Sequence, residues 1–164
     1  MRVFLALRSL FFLVLLPGTV AVYVPYRILR SSLESFTLTL SLTTVPAAML
    51  VLLGALVLLR CVWDFFAAGE GTLAPVDPPR HLVVRGLYRY TRNPMYNGVA
   101  AMLLGEAWLF QSRALLVYAL AICLAFHLFV VLYEERALET QFGETYRRYR
   151  QRVPRWGLTL RPYA

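Results

Sequence analysis

The chain has no lysine. All 17 basic residues among its 164 are arginine, set against 9 acidic residues, for a net charge of +8. Charge of either sign is scarce: 16% of residues are charged, where soluble domains average about 25%. Cysteine is nearly absent. Cys61 and Cys123 lie far apart, and neither belongs to a CxxC pair or stands beside histidine at zinc spacing. Two buried structural thiols are expected rather than a disulfide or a metal site, and no disulfide scaffold is implied. No serine nucleophile elbow, P-loop, HExxH or internal repeat occurs. Gly69-Glu70-Gly71 lacks the preceding strand and following helix of a dinucleotide fingerprint. What is abundant is apolar: 59% of residues are hydrophobic, above the roughly 45–50% of an average soluble domain even with glycine counted. A small sphere cannot hide that much apolar surface in its own core. The expectation is a small all-α integral membrane protein forming one domain over residues 1–164.

Four apolar segments stand out: Val3 to Tyr26, Phe36 to Leu59, Pro94 to Phe110 and Ala114 to Tyr133. A helix needs about 17–25 apolar residues to cross a bilayer, and the third barely reaches this. Arg8 and Pro17-Gly18 interrupt the first. Its basic start and the run Leu10 to Leu16 also resemble a signal peptide, but the stretch continues through Val24 and Arg8 sits inside it. Gln111-Ser112-Arg113 is the whole link between the last two segments, so they form a tight antiparallel hairpin. With four spans, 14 of the 17 arginines lie on one side. These are Arg2, Arg8, Arg60, Arg80, Arg85, Arg89, Arg92, Arg136, Arg147, Arg148, Arg150, Arg152, Arg155 and Arg161, against Arg27, Arg30 and Arg113 on the other. By the positive-inside rule the 60–93 loop and the 134–164 tail are cytoplasmic. The arginine excess reports topology rather than nucleic-acid binding.

Only those two segments are long enough to build a site outside the lipid. The first, Gly69 to Arg80 and on to Asn93, is rich in glycine and proline and reads as irregular chain. Asn93-Pro94 is a helix start, with asparagine as N-cap and proline at the first helical position. It also caps a span with tyrosines at the interface. The positive helix end, flanked by Arg89 and Arg92, equally suits a carboxylate or phosphate. In the second segment, Glu134-Glu135 places two like charges near the negative end of a long helix. Compensation is expected, from arginines of the first loop such as Arg89 or Arg92, or from a cationic or hydroxyl-rich ligand. Leu138, Phe142, Tyr146, Tyr149 and Val153 then fall within about 80° of one helix face, with most of the arginines off it. This is an amphipathic basic helix that lies on the membrane or packs over the loop, with Gly143 as a place to kink or divide it. Inside the hairpin, Glu106 and His127 are ionisable and are candidates for facing each other.

Two blocks carry a family resemblance. They are Gly86-x-Tyr88…Arg92-Asn93-Pro94-x-Tyr96-x-Gly98 and, after the hairpin, Glu134-Glu135-x-x-Leu138-x-x-x-Phe142-Gly143-x-x-Tyr146-x-x-Tyr149-x-x-x-Val153-Pro154-Arg155. In this order the chain resembles the isoprenylcysteine carboxyl methyltransferase and phospholipid methyltransferase superfamily, especially its short prokaryotic-type members. The resemblance covers about residues 69–163, while residues 1–60 match only in being hydrophobic.

The resemblance implies an S-adenosylmethionine-dependent membrane methyltransferase without a Rossmann domain. The cofactor would lie on Leu82, Val83, Tyr88, Arg92, Asn93, Pro94, Met95, Tyr96 and Glu135. Glu134, Glu135 and His127 would be candidates for the chemistry, with no metal. The acceptor would be lipophilic: an isoprenylcysteine-like carboxylate, a phospholipid amine or a small thiol. Two departures matter. Asn93 stands where the family usually has histidine, and Val130 stands where the isoprenylcysteine branch carries a substrate-side arginine. Two rival readings remain. One is an NADPH-dependent membrane reductase of the steroid or sterol type, which the Glu134-Glu135 block disfavours. The other is a non-enzymatic four-span protein, which leaves the loop and the acidic pair without a purpose.

Overall fold

The computed structural model describes residues 14–33, 42–68 and 82–163, and every element among them is helical. Wide π-type turns over Val14–Tyr23 tighten into α1, Val24–Leu33. α2 runs over Thr44–Ala68, α3 over Pro94–Leu109 and α4 over Arg113–Phe129. A 3₁₀ turn, Gly86–Arg89, precedes α3. A π turn, Val130–Glu134, carries α4 into α5, Glu135–Phe142, and α6 follows over Glu144–Arg152. The Gly69–Arg80 segment and His81 lie outside the described residues, as do Arg2, Arg8 and the start of the second apolar segment.

The apolar segments become helices with shifted limits. The first does not stop at Pro17-Gly18; Pro17 sits within the π turns, and the helix continues to Leu33. Pro25 has no N–H to give the carbonyl five residues back, the partner a π turn would use. The Tyr118 hydroxyl donates to that carbonyl, Val20 O, at 3.0 Å. The second helix extends past Leu59 to Ala68. The fourth passes through Tyr133 without ending.

Two helices are long and apolar enough to cross a membrane, Thr44–Asp64 and Arg113–Phe142. α3, at 16 residues, is about 24 Å long, short of a hydrocarbon core of about 30 Å. It is instead the interior helix. Val99, Met102, Leu103 and Ala107 are buried along it, whereas α2 exposes Met49, Leu52, Leu53 and Leu56 and α4 exposes Val117, Leu120 and Leu124. That outward apolar surface is what a lipid environment accepts.

α3 reaches the interior because small residues let α2 approach it. A Cβ on Gly54 would lie 2.5 Å from the Gly98 carbonyl oxygen, and one on Gly105 would lie 2.8 Å from Val51 Cγ2. Backbone cannot yield at the first contact. Gly54→Ala is therefore expected to destabilise the fold by about 1–3 kcal/mol through overpacking. The check is the thermal unfolding midpoint in detergent, and an unchanged midpoint would show the seam to be looser than drawn.

The α3–α4 hairpin closes as the sequence implies. Gln111 takes a positive φ of 48°, and the Ser112 hydroxyl caps α4 by accepting from Leu115 N at 3.2 Å. Glu106 and His127 do not face each other. Glu106 is three residues before the end of α3 and His127 fourteen residues into α4, so their depths differ by roughly 16 Å at 1.5 Å per residue. Glu106 lies near Tyr118 instead.

Gly143 divides α5 from α6 with φ 52° and ψ −123°, a conformation that L side chains rarely adopt. Beyond it the amphipathic stripe turns inward: Tyr146, Tyr149 and Val153 are buried against Leu82, Val84, Leu138 and Tyr163. The basic helix thus packs over the loop. The chain after α6 then straps back across the segment before α3, where Thr159 N donates to Tyr90 O at 2.9 Å and Tyr163 N donates to Arg89 O at 3.0 Å.

Candidate functional site

The two motif blocks, remote in sequence, meet at the N-terminal end of α3. Three supports hold that end. From α2, the buried carboxylate of Asp64 packs against Gly86, whose positive φ of 54° and missing Cβ allow the contact. The Tyr88 hydroxyl donates to the Cys61 sulfur. From α6, the Tyr149 hydroxyl donates to Tyr88 O at 2.6 Å. Burial pushes the hydroxyls of Tyr88 and Tyr149 up, with Cys61 and Glu134 adding at Tyr88, so both stay neutral donors. From the strap, Pro154 O accepts from Arg92 N at 3.0 Å and Arg155 O accepts from Asn93 Nδ2 at 3.1 Å.

Asn93 precedes Pro94 at the helix start as expected, but its side chain makes no capping bond to the helix. Its amide is turned to the strap. The Asn93 backbone carbonyl still accepts from Asn97 N at 3.1 Å.

The acidic pair falls at the π turn, a wide turn of the kind often found at functional sites, and its members point to different partners. Glu135 is 7% exposed and sits between two arginines. Arg92 Nη1 donates to its Oε1 at 2.8 Å, while Arg155 donates through Nε at 2.6 Å and through Nη2 to Oε2 at 2.8 Å. The Arg155 contact is the two-pronged arrangement that planar guanidinium makes with carboxylate. Arg92 also donates to the Tyr146 hydroxyl at 3.0 Å. The compensation expected from the first loop therefore comes from Arg92, and a second share comes from Arg155. Arg89 takes no part; its Nε donates to Tyr163 O at 2.7 Å. The two arginines thus do not stand free beside the α3 N-terminus.

Glu134 accepts from the Tyr96 hydroxyl at 2.9 Å. Among the described residues no arginine pairs with it. The Tyr96 ring packs on Phe126 at 4.8 Å between centroids, and Met95 packs against the core of the helix bundle. One donor is left over: Arg92 Nε is buried and has no hydrogen-bond partner among the described residues.

The structure thus gathers Tyr88, Arg92, Asn93, Pro94, Tyr96, Glu134 and Glu135 around one end of α3. Leu82 faces the α6 stripe, and Val83 beside it is half-buried. His127 is engaged elsewhere, its Nδ1 accepting from Trp156 Nε1 at 3.1 Å. Phe126 and Trp156 were not singled out by the sequence, and Arg155 appeared only as the last residue of a motif. A lone arginine in a tail of many gives no sign of which carboxylate it will clamp.

The phospholipid methyltransferase family model matches residues 42–145, more than half of the chain. The protein belongs to the phospholipid methyltransferase family. Neither a curated protein nor a solved structure matches it. The matched stretch takes in the α2–α3 seam, the hairpin and the acidic pair. Membership in this methyltransferase family makes the protein a membrane-associated enzyme of the methyl-transfer class. The strap from Val153 onward, which supplies Arg155, lies beyond the matched residues.

Proposed function

We propose that the protein transfers a methyl group from S-adenosylmethionine to an acceptor embedded in the membrane. The site would lie at the cytoplasmic end of a four-helix membrane bundle. The observation that carries this reading is the junction of the two motif blocks, made by Arg92 and Arg155 on Glu135 and by Tyr96 on Glu134. The residues present suit the cofactor. Arg92 Nε offers a buried donor for a carboxylate. The rings of Tyr96 and Phe126 offer faces that attract a sulfonium. When bound, the cofactor supplies an electrophilic methyl group, and the chain's own task is placement and field. The acceptor reaches the site laterally from the bilayer, and the cofactor from the aqueous side.

Within this reading an amine acceptor is favoured over a carboxylate. Both arginines near the site are taken up by Glu135, and Val130, where the isoprenylcysteine branch carries arginine, is 1% exposed and apolar. With the spare Arg92 Nε donor given to the cofactor's carboxylate, a substrate carboxylate finds no second one, while an amine finds Glu134. An ammonium must lose a proton before it is methylated, and Glu134, the member of the acidic pair not clamped by arginine, is the base to receive it.

The test is ligand binding by the purified protein in detergent. S-adenosylmethionine is expected to bind and NADPH is not. NADPH binding without methyl-donor binding would establish the reductase reading in its place, and binding of neither would favour a non-enzymatic protein.

A further inference from the structure

The strap after α6 exposes apolar side chains that its own packing does not explain. Leu158 is 72% exposed and Leu160 is 97% exposed. The residue between them is held inward by Thr159 N on Tyr90 O. Water is a poor neighbour for two bare leucines, one on each side of a residue tied to the segment before α3. The strap's depth relative to the bundle indicates a better one. Trp156 Nε1 donates to His127 Nδ1. His127 lies fourteen residues into α4, about 21 Å along its axis, inside a hydrocarbon core of about 30 Å and toward its far edge. The strap is therefore pinned to an outward-facing position on a helix long and apolar enough to cross the bilayer.

Charge follows the same geometry. On α6, Arg147 and Arg150 pair with Glu139, and Arg148 pairs with Glu144. The arginines gathered at the strap behave differently. Arg89 holds Tyr163 O, Arg152 lies over the Tyr163 ring and Arg161 is in the strap itself. Among the described residues none of these three has a carboxylate partner.

We propose that the strap is a membrane-seated foot: Trp156, Leu158 and Leu160 enter the edge of the hydrocarbon, and Arg89, Arg152 and Arg161 bind the phosphates of anionic lipid headgroups. The proposal rests on the membrane crossing of α4 and not on methyl transfer. The strap's backbone holds Arg92 and Asn93, so seating the foot also fixes one wall of the candidate site.

The test uses the full chain with Trp63→Phe and Trp108→Phe, leaving Trp156 as the only tryptophan, in lipid nanodiscs. Phosphatidylcholine discs are compared with discs containing phosphatidylglycerol, each with acyl chains brominated near the glycerol end. Trp156 emission is expected to be quenched several-fold, more strongly with phosphatidylglycerol, and added salt should reduce only that excess. Leu158→Ser with Leu160→Ser should weaken quenching in both lipids, and Arg152→Gln with Arg161→Gln only in the anionic one. Helical circular dichroism confirms folding of each variant. Water-like emission that ignores brominated chains would overturn the seating. Equal quenching in both lipids would overturn the anionic-headgroup assignment. S-adenosylmethionine binding to the same samples is scored separately, so failure of the functional reading remains distinguishable.

Discussion

Glu135→Gln is expected to destabilise the folded protein by about 3–5 kcal/mol, the range for breaking a buried ion pair by removing one partner. The neutral amide leaves Arg92 with a side chain 9% exposed and no counter-charge. It also removes the two-pronged contact of Arg155, whose side chain is 32% exposed and can turn partly to solvent. The lower end of the range is therefore expected. Because Glu135 ties α5 to both the segment before α3 and the strap, the loss should appear as detachment of the strap as well as a lower unfolding midpoint. Chemical or thermal unfolding in detergent checks the magnitude, and limited proteolysis after Val153 checks the detachment. Removing the charge on both sides of the buried pair, with Glu135→Gln and Arg92→Met together, should recover part of the stability, since an apolar replacement of a buried pair is often close to neutral. A single variant as stable as the parent would show that the clamp does not hold the site together.

Glu134→Gln is expected to do the opposite. Its amide oxygen can still accept from the Tyr96 hydroxyl, though without the charge, and no ion pair is lost, so the fold should change little. Turnover should fall by about 10²–10⁴-fold, the usual contribution of a positioned general base. Tyr96→Phe, which leaves the carboxylate in place but unoriented, should give a smaller fall. The check is initial rate with saturating donor, alongside unfolding of the same samples. A Glu134→Gln enzyme that turns over normally would remove this residue from the chemistry. Loss of both activity and stability would mean that Glu134 acts as a structural group like its neighbour.

The contrast between these two variants marks how far the sequence can be read. In the sequence Glu134 and Glu135 are equivalent: adjacent, at the same helix end, both in need of compensation. The π turn and the strap separate them, and neither is written in local pattern. Much else was legible because it rests on composition and period. The helical hairpin followed from a three-residue link, the inward face of α6 from the spacing of Leu138 to Val153, and the division at Gly143 from glycine alone. The joining of the two blocks was legible from the need to compensate an acidic pair. The end of a hydrophobic run does not mark the end of a helix, which runs on through polar residues when its backbone bonds are satisfied, as α2 does to Ala68. Glu106 and His127 share the hairpin without sharing a depth, because the rise per residue separates them along it. The Asn93 cap followed a general preference that the strap outcompetes by offering Arg155 O.

The most direct test of the account is the fate of the methyl group. Membranes containing the protein are incubated with S-adenosylmethionine labelled in its methyl carbon, then extracted into organic solvent. The account predicts label in an amine-bearing lipophilic product, formed by the parent protein and strongly reduced with Glu134→Gln. Label that stays with the donor, or that enters the lipid fraction equally with the variant, would contradict it.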